Sequence, residues 1–199
     1  MPRPQLHPTD AMLDAARDLV LRAGPRATTI EAIAEASGAP TGSIYHRFRS
    51  RDELLATLWT RAVRRSQDAF AAAAAEHDDP REAALAAAAS IVDFCEEHPA
   101  DAQLLVSLRR EDLIQALPDG PLADELQQLN RPVETTIVQL AQRLYGRRTR
   151  AAIERTLLAV FDLPYGAARR HLIAGERMPP GLREDVRRAV AAVLDGPPP

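Results

Sequence analysis

The sequence predicts an all-α fold, and three observations support this prediction. Alanine is abundant and strong helix formers dominate the 199-residue chain. Apolar residues make up 46% of the chain and recur at helical spacing, so a core of useful size is available. The sequence contains no run of alternating β-branched residues, the pattern that would indicate a strand. We therefore expect helices joined by turns that contain Gly and Pro.

The first helix is predicted over 9–23, with Thr9 as its cap and Gly24-Pro25 at its end. We expect it to pack behind the next two helices as a third wall, because a unit this small has little core of its own. Its apolar stripe consists of Met12, Leu13, Ala16, Leu19 and Val20.

Two short helices with a tight turn between them are predicted from Thr28 to Arg51. Thr28 or Thr29 caps the first helix with a side-chain oxygen. Gly38 stops that helix, because glycine enters the left-handed conformation without steric cost. Pro40 stands at a plausible first position of the second helix, where its missing N–H costs nothing. This is the helix-turn-helix pattern, in which the second helix enters the major groove of DNA.

Over roughly its first 60 residues the chain resembles the TetR (tetracycline repressor) family of transcription regulators. Two residues depart from the family pattern: Pro40 stands where a Ser cap is frequent, and Arg51 stands where Lys is usual. The resemblance implies a DNA-binding head, a long connecting helix, and a body that binds an effector and pairs with a second copy. The matching residues are Ala16, Leu19, Gly24, Thr28, Thr29, Ile33, Ala34, Gly38, Gly42, Ile44, Tyr45, Phe48 and the run from Ser50 to Leu54.

A long helix is predicted from about 51 to 76, because Ser50 and Glu53 form a capping box at its start. In the resembling family this helix joins the head to the body. The chain is accordingly divided into a helix-turn-helix DNA-binding domain, 1–50, and a helical effector-binding and dimerisation domain, 51–199, with about nine helices in all.

The body is predicted as a series of helices separated by Pro and Gly. Pro132 is expected to kink or split the helix that contains it, and Pro164 is expected to remove a hydrogen bond from another. The predicted helices cover 81–97, 99–116, 122–145, 148–174 and 180–194.

The net charge of −3 alone argues against a nucleic-acid binder, but the distribution of charge does not. All 25 basic residues are arginines. Residues 1–65 carry a net charge of +3 and residues 66–199 carry −6. The stretch 46–65 contains six arginines and only two acidic residues. The positive potential therefore lies on and just after the predicted recognition helix. A solvated charged face is the alternative interpretation.

The recognition helix and its flanks supply the candidate DNA contacts, and the alternative is a helical hairpin that merely packs. Phosphate contacts are expected from Thr28, Thr29, Tyr45 and Arg51, and contacts to base edges from Thr41, Gly42, Ser43 and Arg47. The full predicted set is Thr28, Thr29, Pro40, Thr41, Gly42, Ser43, Tyr45, His46, Arg47 and Arg51.

By the same resemblance, the body is expected to bind a small-molecule effector. Aromatic residues make up only 4% of the chain and small apolar side chains are numerous, which favours a mostly apolar ligand. Each candidate lining residue is alternatively plain core. The candidates are Phe70, Phe94, Leu104, Leu105, Leu108, Leu126, Leu129 and Ile137.

The last two helices are the expected homodimer seam, because their apolar stripes would otherwise be exposed. The alternative is that the final helix only covers the core of its own chain. The predicted seam residues are Leu157, Phe161, Leu182, Val186, Val190 and Val193.

Neither an enzyme, nor a cofactor, nor a metal site is expected. Motifs of nucleophilic or phosphate-binding sites do not occur in the sequence, and His77, His98 and His171 do not cluster. The single Cys95 excludes an internal disulfide and favours a reducing cytoplasm. We interpret it as a buried structural thiol, with a redox sensor as the alternative. A membrane partner is not expected, because the sequence lacks a signal peptide and a long apolar run.

The sequence thus predicts a cytoplasmic, homodimeric, DNA-binding transcriptional regulator. In this hypothesis it is a repressor that a small-molecule effector releases from a palindromic operator in double-stranded DNA. The alternative is a small-molecule or protein-binding helical module whose helix-turn-helix is vestigial or architectural.

Overall fold

In the computed structural model, which describes residues 9–197, every regular element is a helix, so the all-α prediction is confirmed. None of these helices combines the length and the apolar character needed to cross a bilayer. A 3-10 turn, Pro25–Ala27, precedes α2, and a π-helical turn, Leu158–Asp162, joins α10 to α11. The helices are α1 (Thr9–Ala23), α2 (Ile30–Ser37), α3 (Thr41–Arg47), α4 (Arg51–Ala75), α5 (Pro80–Glu97), α6 (Pro99–Ser107), α7 (Arg110–Ala116), α8 (Pro121–Gln128), α9 (Arg131–Tyr145), α10 (Arg150–Leu157), α11 (Leu163–Ala174) and α12 (Leu182–Leu194).

The described residues form two compact units. The first comprises the residues up to Ala62 together with Gln103–Gln128. The second comprises Val63–Ala102 together with the residues from Leu129 onward. Helix α4 continues without interruption past the boundary at Ala62.

The core of the first unit is built from the inner faces of α1 to α4. Helix α1 packs on α2, and α2 packs on α3. Arg61 of α4 also binds α1, with Nη1 2.9 Å from Asp10 and Nη2 2.6 Å from Asp14. The buried side chains include Met12, Leu13, Ala16, Val20, Ile30, Ile33, Ile44, Phe48, Leu54, Leu55 and Leu58. These helices therefore form a small packed head, in which α1 packs behind the helix-turn-helix as the apolar spacing predicts.

Helix α5 lies at the centre of the second unit and packs against α9, α11, α12 and the π-helical turn. Small side chains on its inner face let these neighbours approach closely. Two exposed ion pairs and one part-buried pair also join α5 to α12 or to the residue after it, and each contributes little to stability because solvent screens it. The buried alanines of α5 are Ala83, Ala84, Ala87, Ala88 and Ala89.

Three of the predicted helices are interrupted, and the break at Pro132 is one that the sequence predicts. The helix over 99–116 breaks at Leu108 and Arg109, where Arg109 is extended and caps α7. The helix over 122–145 splits before Pro132, which lies in the first turn of α9 where its missing N–H is tolerated. The helix over 148–174 contains the π-helical turn, in which the Leu163 N–H donates to the carbonyl of Leu158. This wider turn accommodates Pro164, which can neither donate nor pack under the carbonyl four residues earlier.

Candidate nucleic-acid interface

The ends of α2 and the start of α3 are capped by the residues that the sequence singles out. Thr29 is extended and its Oγ1 accepts a hydrogen bond from the Ala32 N–H at 3.2 Å, which fixes the start of α2. Gly38 ends α2 with φ +67°, a conformation that costs other residues energy. Pro40 is the cap of α3, one position before its predicted place. Its carbonyl accepts from Ser43 at 2.8 Å.

Helix α3 buries one face and exposes the other. Ile44 and Phe48 are buried, so they hold the helix against the head. Tyr45 is 52% exposed, a large fraction for an aromatic side chain on a folded protein. The outer face also carries the exposed residues Pro40, Thr41, Gly42 and His46 and the partly exposed residues Ser43 and Arg47. The predicted contact residues of α3 therefore share one accessible surface.

The start of α4 is held by the predicted capping box. The Glu53 N–H donates to Ser50 Oγ at 3.1 Å, and Glu53 Oε2 accepts from the Arg49 N–H at 3.0 Å. These two bonds fix the short link between Phe48, at the end of α3, and α4. The recognition helix is thus anchored at its C-terminal end by the chain that follows it.

Two predicted phosphate contacts do not fit this geometry. Thr28 is fully buried, and its Oγ1 donates to the carbonyl of Gly24 at 3.0 Å. Arg51 donates from Nε to the carbonyl of Thr28 at 2.6 Å, from Nη2 to the carbonyl of Pro25, and from Nη1 to Asp52 at 2.9 Å. Both side chains therefore make their hydrogen bonds within the head. The match to the family pattern gave their positions in the sequence but not the directions in which their side chains point.

The arginine cluster within 46–65 is also partly neutralised. Arg61 pairs with two aspartates of α1, and Arg65 lies 2.8 Å from a buried aspartate of α6. Arg49 is exposed and Arg47 is partly exposed beside the outer face of α3. The positive potential available to a polyanion is therefore smaller than the count of arginines indicates, and it is concentrated at the end of α3.

The candidate effector residues are mostly buried. Phe70 and Ile137 belong to one core cluster of the second unit, and the ring of Phe94 lies 5.3 Å from that of His98. An open groove of about 390 Å³ runs along α9, and none of the candidate effector residues lines it. Leu104, Leu108 and Leu126 are buried in the first unit, Leu129 is buried in the second, and Leu105 is partly buried. The groove is lined by Arg131, Glu134, Thr135, Val138, Gln139 and Arg148.

The predicted seam residues divide into two groups. Leu182, Val186 and Val190 pack into the core of their own chain, whereas Leu157, Phe161 and Val193 are partly exposed. The periodicity of α12 correctly predicts a buried apolar stripe. It does not tell whether a second copy or the same chain covers that stripe, and in the structure the core of the same chain covers it.

Three apolar residues of the α10–α11 segment are exposed and were not among the predicted seam residues: Leu158, Tyr165 and Ile173. The ring of Tyr165 stacks on that of Phe161, with centroids 5.8 Å apart. Their spacings of seven and eight residues are helical, so the sequence places them on one face, but spacing alone does not tell whether that face is buried or exposed.

Cys95 is buried on α5, and its environment opposes ionisation. Burial raises the pKa of its thiol to about 11, and the charge of Glu96 adds to this effect. The thiol is therefore neutral at physiological pH, and a neutral thiol is a poor nucleophile. This supports the interpretation as a structural thiol.

Comparison with known proteins agrees with this architecture. Residues 12–58 match the family of bacterial regulatory proteins called the tetR family. The fatty acid degradation regulator FadR from Bacillus halodurans has a similar structure, with a TM-score of 0.72 and 16% identity over 96% of this chain and 100% of that one. The ketosteroid transcriptional regulator KstR2 of Mycobacterium tuberculosis is also similar in structure, with a TM-score of 0.68 and 18% identity over 96% of this chain and 95% of that one.

The TetR family regulator PfmR from Thermus thermophilus gives a TM-score of 0.67 and 19% identity, with 93% of this chain and 97% of that one covered. No sequence among the curated proteins matches the chain. The head carries the matched sequence pattern, and nearly the whole chain shares the fold of these regulators. Residues 12–58 therefore carry the sequence pattern of the tetR family of bacterial regulatory proteins, and the chain shares the fold of these solved regulators.

Proposed function

We propose that this protein is a homodimeric transcriptional repressor that binds a palindromic operator and leaves it when a small molecule binds the body. The observation that carries the proposal is the outer face of α3, which exposes Tyr45 beside small residues while Ile44 and Phe48 anchor the helix. The contact residues of this proposal are Thr29, Pro40, Thr41, Gly42, Ser43, Tyr45, His46 and Arg47.

Each of these side chains suits one part of a DNA duplex. Thr29 and Tyr45 offer hydroxyl donors for phosphate oxygens, which set the register of the protein. Arg47 has the planar fork that pairs with the O6 and N7 acceptors of guanine. Two heads related by a two-fold axis would read two half-sites about 34–36 Å apart, or a multiple of that spacing.

The proposed release depends on a difference in affinity. A small molecule that binds one conformer of the body more tightly shifts the population toward it, by about 1–3 kcal/mol in typical regulators. We propose an apolar effector, since the fatty acid and ketosteroid regulators share this fold and the predicted lining residues are apolar. The individual lining residues stay a prediction.

The proposed dimer surface is the outward face of the α10–α11 segment. Leu158 is 50% exposed and Ile173 is 58% exposed, and the stacked pair of Phe161 and Tyr165 lies between them in sequence. A two-fold contact would bury this patch twice, which is how a symmetric pair removes apolar surface from water.

The test of the proposed function begins with selection of bound sequences from random DNA. We expect an enriched palindrome, and we expect its affinity to fall steeply with salt because phosphate contacts release counterions. For a dimer with six to ten phosphate contacts the loss is about a thousandfold or more between about 50 and 200 mM salt, measured by fluorescence anisotropy.

Two outcomes would contradict the proposal. The first is the absence of an enriched sequence, which would favour a helical binding module with an architectural head. The second is an affinity that does not change with salt, since a surface that excludes the phosphate backbone has no counterions to release.

Gly42→Ala is expected to stabilise the protein and weaken DNA binding. An added Cβ at Gly42 would meet nothing within 4 Å, so the fold does not require glycine there. Helical glycine costs up to about 1 kcal/mol relative to alanine, so thermal unfolding should shift upward. The same Cβ would intrude on a duplex in close contact, and we expect operator affinity to fall about tenfold, equal to about 1.4 kcal/mol.

The matched control for this prediction is Thr135→Ala in α9, an exposed helical residue outside the proposed DNA and dimer surfaces, where alanine also has the higher helix propensity. We expect it to raise stability without a change in operator affinity, with dimer size checked by light scattering. Unchanged binding of Gly42→Ala would show that the duplex does not approach this part of α3.

A further inference from the structure

Arg51 joins two parts of the head that are far apart in the sequence. It is the first residue of α4, and it donates to the carbonyl oxygens of Thr28, at 2.6 Å, and of Pro25. Those two carbonyls belong to the turn that leads into α2. We call these two bonds the Arg51 clasp. Nη1 of the same guanidinium also lies 2.9 Å from Asp52, so three of its nitrogens are engaged within the head.

The turn that receives the clasp is itself ordered by hydrogen bonds. Pro25 O accepts from the Thr28 N–H at 3.3 Å, and Ala27 O accepts from the Thr29 N–H at 3.1 Å. Thr28 is fully buried, and Thr29 caps α2. A displacement of this turn would therefore move the first residue of α2, and with it the helix on which α3 packs.

The two carbonyl bonds of Arg51 offset an unfavourable electrostatic position. A cation at the start of a helix opposes the positive end of the helix dipole, and this cost is not recovered within α4 alone. Asp52 offsets part of it, and the two carbonyl oxygens accept charge-assisted bonds. The guanidinium spreads its donors over three nitrogens and so reaches acceptors that lie further apart than those around the single nitrogen of a lysine.

We propose that Arg51 is a positioning residue for DNA recognition: it fixes the start of α2 against the start of α4 and thereby sets the orientation of the α2–α3 pair. This inference rests on the proposed function, because it assigns Arg51 a role in operator binding without contact to the duplex. It replaces the phosphate contact that the motif position suggests.

The first experiment compares Arg51→Lys and Arg51→Ala in operator affinity and in its salt dependence at 25 °C. The clasp requires that both variants weaken binding about tenfold, the ratio that corresponds to one lost charge-assisted hydrogen bond. It also requires that the slope of log affinity against log salt stay that of the unmodified protein. Arg49→Ala is the contrasting variant, because it removes the same charge from an exposed side chain beside α3, and its loss should reduce the magnitude of the slope.

A phosphate contact gives a different result, so the two roles are separable. In that case Arg51→Lys would bind like the unmodified protein, and Arg51→Ala would reduce the magnitude of the slope by about 0.9. Either observation would overturn the proposal. Full affinity in both variants would overturn it as well, because a residue that only adds stability does not change the affinity of a folded head.

The second experiment follows the turn itself and needs no DNA. A nitroxide label at Ala27→Cys, in a Cys95→Ser background, reports the motion of the exposed side of this turn. The clasp requires faster label motion, by about twofold in correlation time, in Arg51→Lys but not in Arg49→Ala. Unchanged motion would overturn the clasp. If the unmodified protein bound no DNA, the proposed function and the role in recognition would both fail, while the label would still report the clasp.

Discussion

Tyr45→Ala is expected to lower operator affinity by about a hundredfold, or about 2.7 kcal/mol, without unfolding the head. The side chain is 52% exposed, while Ile44 and Phe48 supply the buried face of α3. The truncation therefore leaves the core intact and removes an aromatic side chain and its hydroxyl from the surface proposed to meet the duplex. Anisotropy titrations of a labelled operator give the affinity, and circular dichroism melting gives the stability.

Tyr45→Phe is the matched control for this result. It removes only the hydroxyl, so its loss in affinity measures one phosphate hydrogen bond, worth about 1 kcal/mol. Arg47→Ala is expected to weaken binding as strongly as Tyr45→Ala, since it removes a bidentate base contact. Both alanine variants should remain dimeric. Retained nanomolar binding in both would refute the assignment of α3 as the recognition helix.

Leu158→Asp is expected to convert the dimer into a monomer of 21.8 kDa. The side chain is 50% exposed on the proposed dimer surface, and two-fold symmetry places the new charge in the seam twice. Burial of an unpaired carboxylate costs several kcal/mol, which exceeds what the rest of a small patch supplies. Light scattering measures the mass, and operator affinity should fall by about a thousandfold because a single head contacts only one half-site.

Ala71→Asp is the control for Leu158→Asp. It introduces the same charge at an exposed position of α4 and should leave the dimer and its operator affinity unchanged. A Leu158→Asp variant that remained a dimer would exclude the α10–α11 face as the seam. Ile173→Asp provides an independent check, because it lies at the other end of the same proposed surface.

Local chemistry explains why much of the head was predictable. The bounds of α1, 9–23, were predicted as the structure has them, because a threonine precedes its apolar stripe and Gly24-Pro25 follows it. Thr29, Gly38 and the capping box at Ser50 act within four residues, so their sequence neighbours determine them. The positions of the helix-turn-helix pattern follow from these caps.

Side-chain direction and long-range partners were not predictable in the same way. The bonds of Arg51 span 23 and 26 residues, and nothing in the local sequence indicates that carbonyls so distant lie within its reach. The stripe of α12 is a true apolar face, but its spacing does not distinguish its own core from a second copy. Leu158 belongs to the apolar residues of the predicted helix over 148–174, but their spacing does not show that this side chain is exposed.

The alanine-rich inner face of α5 limits how the second unit can deform. An alanine has no rotamers, so the residues that pack against α9 and α12 have no side chain that swings aside to make room. A guest molecule beside α5 would need whole helices to slide apart, and close-packed interiors respond to such displacement as rigid bodies. A ligand could therefore enter beside α5 only if the backbone of the neighbouring helices moved at the same time.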